Sequence, residues 1–248
     1  MEPKDRIIFA ADVSSIFDLH KYLSAFEGGI GKVKVGKELL TNALLTDEPI
    51  IHTLMDNYPY QLMWDLKYKD IPPTMAGAAK AIAKHCCGKI FGFTVHCSAG
   101  RKALADTVQA VKDNFDPVNG TAPMVIGVTV LTSHDQSDLD ELGIKGTPKE
   151  TVLRWAEIAD RAGVPAIVCS PEETKDVLVI NPNFVVINPG IRFAGSDPGD
   201  QKRLSTPKNA IANGASYLVI GSDLRKGDPV ANAQRATMEI KEGLLARD

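Results

Sequence analysis

Eight short apolar runs, rich in β-branched and aromatic residues, set the strongest limit on how this chain folds. They are IIFAAD (7–12), KVKVG (32–36), YQLMWDLK (60–67), KIFGFTVHC (89–97), MVIGVTVLT (124–132), AIVCS (166–170), FVVIN (184–188) and YLVIGS (217–222). Most are continuous and not alternating, the pattern of parallel strands covered on both faces. Helical periodicity fills the gaps. Met75, Ala79, Ile82, Ala83 and Cys86 share one face, and Val152, Trp155, Ala156 and Ala159 share another, with Asp160 and Arg161 turned outward. Eight strand–helix units come to roughly 30 residues each, the size of a βα repeat. A chain of 248 residues therefore has the length of a (β/α)8 TIM barrel. A doubly wound open sheet would present a glycine fingerprint after its first strand, whereas this turn reads ADVSS. No Ser/Gly-rich linker or charge block divides the sequence, so residues 1–248 read as one α/β domain, a single barrel.

Composition narrows the partners. A formal net charge of −3, without a basic run or interleaved aromatic patch, argues against a nucleic-acid platform. The longest apolar stretches, such as MVIGVTVL, are too short to span a bilayer. The start, MEPKDRIIFAADV, lacks a cleavage region, so a cytoplasmic protein without membrane contact is expected. Cysteines at 86, 87, 97 and 169 form no CxxC pair, which suits reduced, mostly buried thiols. His85-Cys86-Cys87 and the adjacent His96-Cys97 lack the paired spacings of zinc sites, and no metal is assigned.

A barrel of this class places its chemistry at the C-terminal ends of the strands. The polar residues there are Asp12, Lys34, Asp65, Lys67, His96, Thr132, Ser133, Arg192, Gly221 and Ser222. The densest group is WDLKYKDIPPT, residues 64–74, with Asp65, Lys67, Lys69 and Asp70 inside six positions. Asp65 and Lys67 are two apart on a strand and so point to one face, with Lys34 at a comparable level on the neighbouring strand. Bare ions inside a barrel are costly. Alternating opposite charges offset that cost by about 4 kcal/mol per pair at 4 Å and an effective dielectric of 20. Such an array keeps the lysines protonated, and a positioned ammonium can stabilise and then protonate a carbanion. A solvated strand end, with Asp70 as the N-cap of a helix opened by Pro72 and Pro73, accounts for the same residues structurally.

The string Asp65-x-Lys67-x-x-Asp70-Ile71-x-x-Thr74 resembles the signature of the orotidine 5′-phosphate decarboxylase family, most closely its bacterial branch. FAAD ending at Asp12, KVKVGKELL around Lys34, VTVLTS ending at Ser133, NPGIR ending at Arg192, DQKR with Gln201, and a terminal VIG follow in barrel order. The resemblance implies a carboxy-lyase that converts orotidine 5′-monophosphate to UMP, the last step of de novo pyrimidine nucleotide synthesis, without cofactor or metal. It implies a homodimer in which Lys34, Asp65 and Lys67 belong to one subunit while Asp70 and Thr74 cross from the other. Lys67 would protonate C6, Asp65 and Asp70 would hold the lysines, and Asp12 and Lys34 would bind ribose hydroxyls. Thr132 and Ser133 would lie along the base, and Arg192, Gln201 and the Gly221 backbone would hold the phosphate. A segment at 192–205 would close over the nucleotide. The family normally carries an arginine directly after the glycine of strand 8; VIGSDLRKG places Ser222 there, with Arg225 and Lys226 as the nearest cations.

Two other readings are compatible with a barrel of this kind. Magnesium-dependent sugar-phosphate decarboxylases and hexulose-phosphate synthases of the same suprafamily share Asp-x-Lys-x-x-Asp, but typically follow it with Ala-Gly, where this chain has Ile71-Pro72-Pro73-Thr74. A catalytically inactive nucleotide-binding barrel would have no need of so costly a charge array. His96 is expected to be a hydrogen-bonded barrel histidine, His20, His52, His85 and His134 to be incidental, and Lys69 to stay solvated. Trp64 and Trp155 should pack between barrel and helices.

Overall fold

A computed structural model of the chain describes residues 1–26, 28–46, 53–54, 57–86, 88–196 and 203–247. Eight strands close into a barrel in chain order: β1 (Ile7–Ala11), β2 (Lys32–Gly36), β3 (Gln61–Tyr68), β4 (Ile90–His96), β5 (Met124–Val128), β6 (Ala166–Val168), β7 (Val185–Asn188) and β8 (Tyr217–Ile220). Every neighbouring pair is parallel, and β8 returns to β1 through the register Ile8↔Val219. The described helices are α1 (Ile16–Phe26), α2 (Lys37–Thr46), α3 (Pro72–His85), α4 (Arg101–Asn114), α5 (Gln136–Glu141), α6 (Pro148–Arg161), α7 (Thr174–Ile180), α8 (Pro207–Ala212), α9 (Ser222–Arg225) and α10 (Pro229–Leu245). The start of α6 is written in the sequence TPKE. The Thr147 hydroxyl accepts from Glu150 N–H, the Glu150 carboxylate accepts from Thr147 N–H, and Pro148 sits where no donor is needed.

Each strand serves two cores, which is why its apolar run is unbroken. Ile7, Phe9, Val33, Val35 and Leu62 face helices on one side of the ring, and Phe93, Val95, Val125, Ile167 and Val186 face those on the other. The inner positions form a third core around Ile8, Ala10, Met63, Ile126, Ala166 and Ile187. On α3 Met75, Ala79 and Ala83 are buried, and on α6 Val152, Ala156 and Ala159, as their periodicity predicts. Trp64 and Trp155 pack partly buried against the outer core. At the N-terminal mouth Lys32 is buried, its ammonium 4.7 Å from the centroids of both Phe91 and Tyr217 and donating to the Asp5 carbonyl at 3.3 Å. Burial pushes its pKa down, opposed by the Asp5 charge.

Three local expectations are corrected. Strand 5 ends at Val128, not at 132, because the Thr129 N–H and hydroxyl both turn onto the Val168 carbonyl, at 3.2 and 2.7 Å, and close the ladder there. Strand 6 likewise stops at Val168. The cap position of α3 is Ile71, without a side-chain bond, and Asp70 instead accepts from Ile71 N–H at 2.7 Å. Pro72 and Pro73 have no N–H, so the first two helical positions leave no donors for a cap to satisfy and the demand for one is reduced.

The β3–β4 ladder shifts register between Leu62 and Met63, where Met63 pairs with Gly92. A Cβ on Gly92 would stand 2.7 Å from both Ile126 Cδ1 and the Met124 carbonyl. Gly92→Ala is therefore expected to cost about 1–3 kcal/mol by overpacking. A lowered urea midpoint at unchanged m-value would show it, and an unchanged midpoint would mean that β5 gives way freely.

Candidate active site

The C-terminal mouth holds a cavity of ≈ 550 Å3, within the range of small-molecule sites. Its charged side is built on β1, β2 and β3. Lys34 pairs with Ala10 on β1 and Met63 on β3, so Asp12 and Asp65 each lie two residues further toward the mouth on the adjoining strands. The long lysine stem climbs one layer and meets both: Lys34 Nζ lies 2.8 Å from Asp12 Oδ1 and 3.3 Å from Asp65 Oδ2. The same Asp65 Oδ2 accepts from Lys67 Nζ at 2.8 Å. One buried carboxylate oxygen thus joins two ammoniums.

Asp65 and Lys67 meet as expected, but not through a regular pleat. Lys67 has φ 51°, the only positive value outside glycine among the described residues, and it sits where the β3–β4 register breaks between Trp64 and Tyr68. A lysine in the left-handed region is held there by its surroundings. Thr94 supplies the hold: its hydroxyl accepts from Lys67 N–H at 2.8 Å and donates to Asp65 Oδ1 at 2.9 Å. Sequence reasoning missed this residue. Its signal was a hydroxyl within the apolar run of β4, fully buried in the structure.

Electrostatics keep Lys34 and Asp65 ionised. Burial works against the Lys34 charge, but Asp65 and Asp12 outweigh it and raise the pKa. Burial likewise favours a neutral Asp65, yet Lys34 and Lys67 hold its carboxyl below the ordinary range. Both Asp65 oxygens are taken, Oδ1 by Thr94 and Oδ2 by the two ammoniums.

Around this cluster the cavity brings together Asp12, Thr132, Ser133, Arg192, Gly221 and Ser222, all expected from the sequence, and adds Arg225. Asp70 and Thr74 are exposed and are not among its lining residues. Gln201, and with it residues 197–202 of the 192–205 segment, lies outside the described residues. The charges divide by position. Lys34 and Lys67 are committed to carboxylates, whereas Arg192 donates to the Ile191 carbonyl and Arg225 to that of Asp12, with no carboxylate partner among the described residues. The sequence left Arg225 and Lys226 open; the structure places Arg225 on the cavity wall.

His96 lies outside this cavity and borders a neighbouring one with Lys69, His134 and Trp155. Its Nδ1 bonds the Ser98 hydroxyl at 2.8 Å, and its ring meets Trp155 edge-on. Lys69 is exposed, as expected. Cys86, Cys97 and Cys169 are buried free thiols, and Cys87 and His52 lie outside the described residues. Among the described residues no three His, Cys, Asp or Glu side chains gather as metal ligands.

The family model for orotidine 5′-phosphate decarboxylase / HUMPS matches residues 5–236. The chain is 38% identical to the orotidine 5′-phosphate decarboxylase of Moorella thermoacetica, with 97% of this chain and 94% of that protein covered. It is 40% identical to that of Marinomonas sp., covering 87% of each. The crystal structure of the Lactobacillus acidophilus orotidine 5′-phosphate decarboxylase superposes with a TM-score of 0.79 at 31% identity, over 94% of this chain and 98% of that one.

Burial, with the Lys69 and Lys67 charges, lowers the His96 pKa to about 4. The folded value then lies below the unfolded one, so the native state binds fewer protons between the two. The resulting stability is present above about pH 6.5 and drains as pH falls toward the folded value. An imidazole NMR titration is expected to find His96 still neutral at about pH 5.5, and a midpoint near its ordinary value of about 6.5 would contradict the burial argument.

Proposed function

The chain belongs to the orotidine 5′-phosphate decarboxylase / HUMPS family, and from that premise we propose that it decarboxylates orotidine 5′-monophosphate to UMP by direct proton delivery from Lys67. The observation that carries this reading is the single Asp65 oxygen shared by the ammoniums of Lys34 and Lys67 on the cavity wall. As the bond from C6 to the carboxylate breaks, carbon dioxide leaves and its electron pair stays on C6. The Lys67 ammonium then gives that carbon its proton and is re-protonated from solvent. Asp65, with its back oxygen tied to Thr94, fixes where the ammonium points. Stabilisation of the developing carbanion by these preorganised charges supplies most of the rate.

The remaining roles follow the layout. Asp12 and Lys34 bind ribose hydroxyls, and Thr132 and Ser133 line the base. Gly221 and Ser222 offer backbone beside the phosphate, and Gln201 is assigned to the phosphate from the family resemblance alone. Exposed Asp70 and Thr74 are proposed to enter the site of a second copy in a homodimer, completing that copy's array. The reaction needs no cofactor or metal in this reading, since the Lys67 ammonium supplies the proton and the preorganised charges stabilise the carbanion. A cytoplasmic location fits pyrimidine nucleotide synthesis, and no described helix is long and apolar enough to cross a membrane.

Lys67→Ala is expected to abolish UMP formation, followed by ultraviolet absorbance, while the circular dichroism spectrum stays native. Appreciable turnover by that variant would remove Lys67 from its role. Full activity in EDTA is expected as well; loss on chelation, restored by magnesium, would move the assignment to the sugar-phosphate branch.

The phosphate is assigned to the two guanidiniums of the cavity wall that meet only backbone carbonyls among the described residues, Arg192 and Arg225, the latter standing in for the arginine replaced by Ser222. Arg225→Ala should raise KM for the nucleotide about 10- to 100-fold, the loss of one charge-assisted contact. The same change should leave kcat/KM for the nucleoside orotidine unaltered. Equal losses on both substrates would place Arg225 elsewhere in the machinery.

A further inference from the structure

Arg203 stands at the neck of the segment that follows β7. There Ile191 bridges to Ser205, Arg192 N–H donates to the Ser205 carbonyl at 2.9 Å, and Ser205 N–H donates to Gly190 at 3.1 Å. Although close to Arg192 in sequence, Arg203 is not among the residues lining the cavity, and its side chain is nearly buried, with 11% exposed. Nη1 pairs with Glu173, and Nη2 donates to the carbonyls of Leu131 at 3.2 Å and Val130 at 3.4 Å. Glu173 is itself buried, its other oxygen accepting from Ser170 N–H at 3.0 Å. Behind it the Thr174 hydroxyl bonds Asn188, whose amide reaches the Cys169 carbonyl. The whole assembly ties the ends of β5, β6 and β7 together through one cation.

A buried Arg–Glu pair of this kind adds little net stability over an apolar filler, because both ions lose their hydration. Its distinct product is fixed backbone. The β5–β6 ladder ends at Thr129, so Val130 and Leu131 leave the sheet, and their carbonyls turn from a neighbouring strand to the Arg203 guanidinium, with His134 N–H also reaching Leu131 at 2.9 Å. Val130, Leu131, Thr132 and Ser133 nevertheless form a wall of the reaction cavity. We propose that Arg203, locked by Glu173, is a positioning residue that sets this wall and thereby governs recognition of the nucleobase, not of the phosphate. The inference rests on the reading above that lays the pyrimidine along Thr132 and Ser133.

The test compares two ligands by calorimetry: UMP, which has a base, and ribose 5-phosphate, which does not. Arg203→Ala is expected to weaken UMP about tenfold while changing ribose 5-phosphate by less than about twofold, the loss of one charged hydrogen-bonding group acting on one half of the site. Glu173→Gln, which keeps the volume but releases the guanidinium, should shift the same ratio in the same direction. It decides the matter alone if Arg203→Ala does not fold. Proportional losses for both ligands would reduce the pair to a structural tie and overturn the proposal, as would no loss for either. Failure of the decarboxylase reading shows separately, as absence of UMP formation by the unaltered protein.

Discussion

An anion that two cations must share, inside a ring of strands, is the constraint on which the rest of the site depends. Asp65 is buried, and alone its carboxylate would take up a proton rather than stay charged. With Lys34 at 3.3 Å and Lys67 at 2.8 Å on one oxygen, and Thr94 on the other, ionisation becomes the favoured state of both Asp65 and Lys34. Removing one partner of such a buried group typically costs about 3–5 kcal/mol, so the members stand or fall together. The arrangement also explains the Lys67 backbone: a positive φ is tolerated because the ammonium, the amide and the neighbouring carboxylate are each held by another group.

The barrel provides the conditions for this cluster by keeping the rest of its interior apolar. Ala10 and Met63 flank Lys34 in the layer below the mouth, leaving the lysine no acceptor at its own level and driving its ammonium upward. The opposite mouth treats a cation differently. Lys32 meets two aromatic faces and a carbonyl, with no carboxylate in hydrogen-bonding contact among the described residues, and its pKa falls where that of Lys34 rises. Two lysines two residues apart on one strand thus have opposite electrostatics, set by what the neighbouring strands place beside them. At the upper mouth the cations are sorted again: the ammoniums of Lys34 and Lys67 meet carboxylates, while the guanidiniums of Arg192 and Arg225 meet backbone carbonyls among the described residues.

Much of this was legible in the sequence. Eight unbroken apolar runs announced strands covered on both faces, and the closed parallel ring is what such strands form. The cluster Lys34, Asp65 and Lys67 followed from polar residues at strand ends, and the cavity also collects Asp12, Thr132, Ser133, Arg192, Gly221 and Ser222. Other features resisted. The apolar run through Leu131 overstated strand 5, because apolar residues lining a cavity resemble those lining a core. Asp70 looked like a helix cap, but Ile71 holds that position and the Asp70 carboxylate turns to the Ile71 N–H. Thr94, Arg203 and Glu173 gave little signal, since a single polar side chain acquires its meaning only from partners distant in the chain.

Residue type and spacing fixed by themselves the number of strands, their double-sided burial and the presence of paired opposite charges at one end, because these are short-range consequences of pattern. Tertiary structure alone decided that a bulge at Lys67 turns its ammonium onto Asp65, that Arg225 reaches the cavity and that Arg203 does not. Those outcomes depend on closing the ring, which brings groups tens of residues apart within hydrogen-bonding distance, and no local spacing encodes that distance.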